Sequence, residues 1–304
     1  MKFFLLMIKR TIEISSGPIH LYIKHKQMLL KKGDNVHSIP VEDIGLLVLS
    51  HPAISYTHQL MYELLEHNVA VLFCNRQHMP EGLLLPFEDN QLHQARLQIQ
   101  AEAPKPLKKR LWQQIVKKKI RTQSKVLFQK HGTDEGLKLL IKKVTSGDAS
   151  NVEARAAKKY WKALFKESSF RRNHTLNDIN SLLNYGYAII RAAVARSITA
   201  AGLHPSIGLH HHNQYNPYCL ADDLMEPLRP FVDAVVYNLY KAQQTLHIPV
   251  TKETKKPLLE LLTTSVLIQN KKYPLFESLH LMASSLVDCY AKARKEITFP
   301  SKIY

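Results

Sequence analysis

The sequence predicts an α+β protein, in which a small N-terminal unit rich in β-strands precedes a larger helical unit. Before about residue 87, short apolar or alternating runs are separated by turn-forming residues. After it, apolar residues recur at helical spacing. At 304 residues, two domains are a reasonable prior. We therefore predict a dimerisation domain over residues 1–87 and a catalytic domain over residues 88–304.

The N-terminal unit shows strands by alternation and by the turns between them. Residues 8–15 alternate apolar and polar side chains, and Ser16-Gly17-Pro18 supplies a turn. Residues 56–67 carry a helical pattern. Further strands are predicted over residues 19–24, 27–31, 44–49, 69–73 and 82–87.

The second unit is dominated by helical periodicity, and strands are hard to find in it. A break at Ala103-Pro104-Lys105-Pro106 separates its first two helices, because proline cannot continue a helix. The second helix is basic, and its apolar positions, among them Leu111, Ile115 and Phe128, are expected to face inward. The predicted helices cover residues 91–102, 105–130, 133–144, 151–165, 178–201, 219–243, 252–268 and 274–296.

The charge of the chain favours a polyanionic partner. Lys and Arg number 42 against 25 Asp and Glu, a formal net charge of +17. Nucleic acid and an acidic membrane surface both fit such an excess. Any single basic cluster can equally be a solvated helix face, but several within one unit favour contacts with phosphates. The candidate DNA-binding residues are Lys108, Lys109, Arg110, Lys117, Lys118, Arg155, Lys158, Lys159, Arg171 and Arg172.

Cysteine usage and hydropathy favour a cytoplasmic protein without a membrane partner. Three widely spaced cysteines form neither a disulfide framework nor a C-x-x-C pattern. The apolar run that begins the chain is short and lacks a small-residue cleavage site. No stretch approaches about 18 uninterrupted apolar residues, the length that a membrane helix requires.

Residues 208–230 concentrate possible metal ligands. Gly208 begins a loop with three histidines, His210 to His212, and a helical pattern with Asp223 and Glu226 follows. Carboxylates at i and i+3 share one helical face, so a histidine loop beside them suits a hard divalent metal ion. The histidines could also be solvated, and Asp223 and Glu226 also match a D-x-x-E capping box.

Glu153 is the candidate partner of this segment. It opens the alanine-rich helical segment Asn151–Trp161, where a carboxylate also complements the helix macrodipole. The ordered set of this glutamate, the Gly-x-x-His loop and Asp-Leu-Met-Glu-Pro-Leu-Arg-Pro resembles one family. That family is the CRISPR-associated integrase-endonuclease, the catalytic subunit of the spacer-acquisition machinery. The wording Leu-Ala-Asp-Asp-Leu-Met-Glu-Pro looks most like the type II branch, which accompanies single-protein RNA-guided nucleases.

The resemblance implies a metal site and a reaction. It places the metal ligands at Glu153, His211 and Glu226, with Asp223 as a further ligand or a water-positioning group. The implied cofactor is Mg²⁺ or Mn²⁺. The implied reaction inserts short double-stranded DNA into a CRISPR array, with its 3′-hydroxyl attacking a phosphodiester of the repeat. His210 and His212 leave the register of the histidine ligand open by one residue.

The resemblance also implies an assembly in the bacterial cytoplasm. A homodimer would form largely through the β-rich units, and two such dimers would flank a dimer of a small ferredoxin-like CRISPR-associated partner. Met7 aligns with the usual start of the family, so residues 1–6 are expected to be an extension or an alternative start.

Two other functions are compatible with the residues. A zinc hydrolase could use His210, His211 and His212, although adjacent histidines diverge and seldom chelate one ion. A nucleic-acid-binding protein without enzymatic activity could use the acidic residues only as helix caps. It predicts that replacing Glu153 changes stability but no reaction.

Overall fold

The computed structural model describes residues 9–86, 90–167 and 170–302. The expected extension at residues 1–6 and the predicted domain boundary after residue 87 lie outside these ranges. The eight strands described in the N-terminal unit are β1 (Arg10–Ile14), β2 (Ile19–Lys24), β3 (Gln27–Lys32), β4 (Asn35–Pro40), β5 (Ile44–Leu49), β6 (Ile54–Tyr56), β7 (Ala70–Cys74) and β8 (Pro80–Leu84). Helix α1 (His58–Glu66) lies between β6 and β7.

Helices dominate the rest of the described chain. They are α2 (His93–Ala101), α3 (Lys105–His131), α4 (Leu137–Ile141), α5 (Val152–Phe165), α6 (Ile179–Ala200), α7 (Cys219–Met225), α8 (Arg229–Gln243), α9 (Lys252–Glu260) and α10 (Leu275–Tyr290). Short strands β9 (Ser265–Ile268), β10 (Lys271–Pro274) and β11 (Ser301–Lys302) form a small antiparallel sheet. The predicted α+β class is therefore confirmed.

The N-terminal strands form two four-stranded sheets, in the orders β1-β5-β7-β8 and β4-β3-β2-β6. Strand β5 is central in the first sheet, and all six of its residues are buried. Alternate side chains of a strand point to opposite faces. Leu47 and Leu49 accordingly pack into the N-terminal core, whereas Leu46 and Val48 pack into the core of the helical unit. One strand thus joins the two units.

Several predicted helices are shorter or different in the structure. The predicted helix over 252–268 is wrong beyond Glu260, because Val266 and Ile268 alternate with exposed neighbours and form strand β9. The predicted helix over 219–243 is interrupted by a 3₁₀ turn, Glu226–Leu228, and Pro227 and Pro230 explain the change. The segment 133–144 is helical only over α4.

Two further predictions need correction. Phe128 was expected to face inward, but 59% of its surface is exposed. Strand β4 was not predicted, because most of its residues are exposed and show no apolar alternation. In the described part of the chain, no helix is both long and apolar enough to span a membrane.

Candidate active site

Helix α3 carries one side of the candidate site, and three later segments bring their side chains against it. These segments are the start of α5, the loop Gly208–His212, here called the histidine loop, and the 3₁₀ turn Glu226–Leu228. Helix α3 packs against α5, against this turn and against the turn Ser146–Asp148. Residues more than 70 positions apart in sequence therefore meet on one helix face.

Glu153 lies in the first turn of α5, where local capping fixes its backbone. The carboxylate of Asp148 accepts hydrogen bonds from the backbone N–H groups of Val152 and Glu153, each at 2.9 Å. Asn151 caps the helix by accepting from Ala154 N–H. These bonds satisfy donors that a helix start otherwise leaves unpaired. Asp148 thus positions Glu153, a role that the sequence analysis missed.

The histidine loop is built around the buried carboxylate of Asp223. One oxygen accepts from the backbone N–H groups of Leu209 and His210 at 2.6 and 2.9 Å. The other lies 2.6 Å from Nδ1 of His211 and 3.3 Å from its backbone nitrogen. The carboxylate places the proton of His211 on Nδ1, so Nε2 is the nitrogen available to a ligand.

Asp223 therefore has no part in capping α7. It lies inside the helix and is fully buried, so the capping-box interpretation of Asp223 and Glu226 is wrong. Its hydrogen bond is also the main cause that raises the pKa of His211, and burial of the ring opposes this effect. These contacts make Asp223 a residue that positions the loop and His211.

Gly208 explains why the histidine loop begins with glycine. A Cβ atom at this position would lie 2.4 Å from the backbone oxygen of His211 and 3.0 Å from an oxygen of Asp223. Real Cβ atoms do not approach backbone oxygen so closely. The loop can close over Asp223 only because residue 208 has no side chain.

Lys119 stands between Glu153 and Glu226, which we call the carboxylate pair. Its ammonium lies 2.5 Å from Oε1 of Glu153 and 2.5 Å from Oε2 of Glu226. Arg229 donates to the other oxygen of Glu226 at 2.8 Å. These four formal charges cancel. Lys119 directly follows the candidate DNA-binding residues Lys117 and Lys118, but its position four residues after the inward Ile115 places it on the buried face of α3.

The charges of the site hold Glu226 ionised. Burial opposes ionisation, but the cations Arg229 and Lys119 outweigh it and lower the pKa of Glu226 to about 2. Burial likewise opposes the charge on Lys119, and Glu226 and Glu153 outweigh it and raise the pKa of Lys119. Glu226 is therefore anionic at neutral pH, and it converges with Glu153 on one cation.

The donor set fits a hard divalent metal ion. Two carboxylates from separate segments already meet at one cation, and such ligands suit Mg²⁺ or Mn²⁺. Oε2 of Glu226 is buried, and the Lys119 ammonium lies 2.5 Å from it. Among the described residues, no three His, Cys, Asp or Glu side chains are already arranged around one ion position. The cation that Glu153 and Glu226 share in this structure is the ammonium of Lys119.

His210 lies against Trp112 of α3. Their rings stack with centroids 4.3 Å apart and planes 2° from parallel, whereas the rings of His210 and His211 are 84° apart. Burial lowers the pKa of His210. The divergence of the two rings, together with the Asp223 contact, favours His211 as the ligand and weighs against a zinc site made of adjacent histidines.

A cavity of about 310 Å³ opens beside the histidine loop, and we call it the basic pocket. Lys105, Lys108 and Lys109 line it together with Trp112 and the loop. A second cavity, of about 630 Å³, lies further along α5 and combines basic side chains with aromatic ones. The residues that line this second cavity are Lys158, Trp161, Lys162, Glu167, Phe170, Arg171 and Arg172.

The candidate DNA-binding residues occupy different surroundings. Lys118 is half-buried and donates to Ser301 at 2.6 Å, and Arg172 donates to Asn180 and Asn184 on α6, so both have partners within the protein. Lys159 lies 3.4 Å from the backbone oxygen of Glu135. Arg110, Arg155, Lys158, Lys159 and Arg171 are exposed, and Lys117 is partly exposed. Lys108 and Lys109 are the members that line the basic pocket beside the histidine loop.

The site thus combines a carboxylate pair around a cation with an oriented histidine, His211, that lies within reach of the charge of Glu226. The histidine loop lines the basic pocket. Comparison with known proteins identifies the site further. The family model described as CRISPR associated protein Cas1 matches residues 13–265. The chain is 37% identical over 282 residues to the CRISPR-associated endonuclease Cas1 of Neisseria meningitidis serogroup C (strain 8013), covering 92% of this chain and 91% of that protein.

Solved structures share the fold. The casposase in a structure described as bound to integration product superposes with a TM-score of 0.80 at 18% identity, covering 95% of this chain and 92% of that one. A chain of a Cas6-RT-Cas1–Cas2 complex superposes with a TM-score of 0.75 at 20% identity, covering 95% of this chain and 36% of that one.

The chain therefore belongs to the CRISPR-associated Cas1 family of endonucleases and integrases. The family predicted from the sequence motifs is confirmed, and the Neisseria relative is consistent with the predicted branch.

Proposed function

We propose that this protein inserts short double-stranded DNA into a CRISPR array by metal-dependent phosphoryl transfer. The observation that carries the proposal is the convergence of Glu153 and Glu226 on one cation position beside an oriented histidine. In the proposed reaction, the 3′-hydroxyl of the incoming DNA attacks a phosphodiester of the repeat. Water as the nucleophile would give endonuclease activity from the same site.

Glu153, Glu226 and Nε2 of His211 would hold Mg²⁺ or Mn²⁺. Such an ion, when bound, stabilises negative charge on the phosphoryl oxygens and activates the attacking oxygen. The protein contributes the geometry: Asp148 holds the backbone of Glu153, and Asp223 holds the ring of His211. Arg229 keeps Glu226 ionised and oriented. Preorganised ligands avoid the cost of rearrangement during the reaction.

The DNA would lie along the basic pocket. Lys105, Lys108 and Lys109 supply positive charge next to the histidine loop, as a phosphate backbone requires. The exposed basic residues of α5 extend this surface away from the site. A cytoplasmic location and the absence of a membrane partner are consistent with this substrate.

The proposed partners are a second copy of the chain and a small ferredoxin-like protein. We propose that two homodimers flank one dimer of that protein. The description of one structural neighbour as a Cas1–Cas2 complex supports a partner of this kind, and that of another as bound to integration product supports DNA as substrate.

A branched DNA that mimics the half-integrated product tests the proposal. The purified protein is incubated with this DNA and Mn²⁺ or Mg²⁺, with chelator, and as the Glu226→Gln variant. We expect strand transfer that requires the metal and falls roughly a thousandfold or more in the variant, because the lost carboxylate is a ligand. Glu260→Gln, which alters an exposed glutamate of α9, is the matched control.

The same experiment separates the enzyme from a binding protein. DNA affinity of Glu226→Gln should remain close to that of the wild type, because the basic pocket is unchanged. If the folded wild type binds DNA tightly yet gives no metal-dependent product, the protein is a binding module. If Glu226→Gln transfers strands at the wild-type rate, the assignment of the site is wrong.

A further inference from the structure

Lys119 occupies the place where the carboxylates converge. It lies on α3, and only 10% of its side chain is exposed. Its ammonium is equally close to one oxygen of each glutamate. A group in this position does for the two carboxylates what a bound metal ion would do: it neutralises them and holds them together.

We propose that Lys119 is a built-in surrogate cation, which holds Glu153 and Glu226 in place before a divalent metal ion binds and which that ion must displace. The proposal rests on the function proposed above, because it takes the carboxylate pair as metal ligands. It assigns Lys119 the role of a positioning residue and makes metal binding an exchange of one cation for another.

Burial explains why the site needs a cation at all times. Glu226 is 92% buried at its side chain, and two carboxylates that converge without a cation would repel each other in a medium that screens charge poorly. Arg229 pairs with the other oxygen of Glu226. Among the described contacts, Arg229 forms no ion pair or hydrogen bond with Glu153. Lys119 is therefore the group that joins the two glutamates.

Space and charge explain why the metal ion must displace Lys119. A divalent ion that uses the same two oxygens needs the volume that the ammonium fills. If Lys119 stayed in place, the ion would also meet its positive charge at close range, a strongly unfavourable interaction. The four-carbon stem of lysine allows its ammonium to move while the helix stays in place.

Binding of Mn²⁺ to the DNA-free protein tests the proposal without any activity measurement. We compare the affinity of the wild type, Lys119→Met, Lys118→Met and Glu226→Gln by calorimetric titration and by the Mn²⁺-dependent rise in Tm. Methionine keeps the length and burial of the side chain but cannot compete for the carboxylates. We expect Lys119→Met to bind Mn²⁺ at least about tenfold more tightly, because a repelling charge has been removed.

Lys118→Met is the matched control. It removes the same charge from the adjacent position of α3, where the ammonium bonds to Ser301 and not to the carboxylate pair. Its affinity for Mn²⁺ should be within about threefold of the wild type, since a partly exposed charge is largely screened. Equal affinity of the wild type and Lys119→Met, with loss of binding in Glu226→Gln, overturns the proposal but leaves the metal site intact. Absence of Mn²⁺ binding in every variant overturns both.

A measurement on the wild type covers the case in which Lys119→Met does not fold. An amine-reactive ester is applied with and without saturating Mn²⁺, and modified lysines are quantified by peptide mass spectrometry. Lys119 should react slowly without Mn²⁺, because it is buried and paired, and faster with it, because it has left the carboxylates. Exposed Lys105 supplies the reference rate. A Lys119 rate that Mn²⁺ does not change overturns the proposal.

Discussion

Two buried lysines of this protein form ion pairs in contrasting surroundings. Lys255 of α9 pairs with Glu13 of β1, and both side chains are nearly inaccessible, at 3% and 6% exposure. Its ammonium also lies 5.5 Å from the ring of Tyr185 and 3.5 Å from Ser50 Oγ. Lys119 instead lies between two glutamates, and 25% of the Glu153 side chain is exposed.

The difference in burial and in number of partners suits the two lysines to different roles. At Lys255, one ammonium meets one carboxylate in a closed interior, and the pair joins the strand-rich unit to the helices. At Lys119, two carboxylates share one ammonium, and the Glu153 side chain is 25% exposed, so a different cation can reach the pair. A closed, matched pair is suited to stability, and an open, shared cation is suited to exchange.

The largest expected effect on stability comes from replacing Lys255, the lysine of the closed ion pair. Lys255→Met leaves Glu13 buried without its cation, and we expect the free energy of unfolding to fall by about 3–5 kcal/mol. Denaturant unfolding measures the loss. The neighbouring Lys256→Met is the control, because that lysine is 73% exposed and should cost less than about 1 kcal/mol. A loss below about 1 kcal/mol for Lys255→Met would contradict a structural role.

A second change disturbs the candidate site without altering its charge. Gly208→Ala adds a methyl group that cannot fit against the His211 backbone oxygen, so the histidine loop must shift. We expect strand transfer to slow by roughly 10- to 100-fold, because small displacements of a catalytic group are costly. The rate on branched DNA measures it. Gly82→Ala, where a Cβ atom makes only ordinary contacts, should retain the wild-type rate.

The smallest expected effect is the change with pH in the contribution of His211 to the stability of the fold. Its pKa is raised chiefly by the hydrogen bond to Asp223, so the pair stabilises the fold fully below the ordinary histidine pKa. This contribution is lost as pH rises through the raised pKa. We expect the stability difference between wild type and His211→Gln to be larger at pH 5.5 than at pH 9. A difference that stays constant across this range would contradict the ion pair.

The motifs predicted much of the candidate site, because its candidate ligands belong to local structures. Glu153 follows a helix cap, and His211 belongs to a loop whose glycine and backbone donors wrap one carboxylate. The role of Asp223 was not predicted, since nothing in its spacing shows that the loop closes over it. Lys119 was missed although its helical phase, four residues from Ile115, indicated burial.

Strands in the second unit were missed for a related reason. β9 alternates buried and exposed residues over only four positions, and β10 directly precedes the apolar helix α10. Short strands gain their stability from pairing with one another, which a local pattern does not record. The buried strand β5 was predicted, because its continuous apolar run requires cover on both faces.

The sequence by itself determined the α+β class, the buried strand over residues 44–49 and the family motifs, because each depends on residues close together in the chain. Only the tertiary structure decided that Lys119 would stand between Glu153 and Glu226 and that Lys255 would reach Glu13. Those contacts join residues 34 to 242 positions apart. The energy of a buried charge depends on which distant group lies opposite it, and only packing of the whole chain sets that.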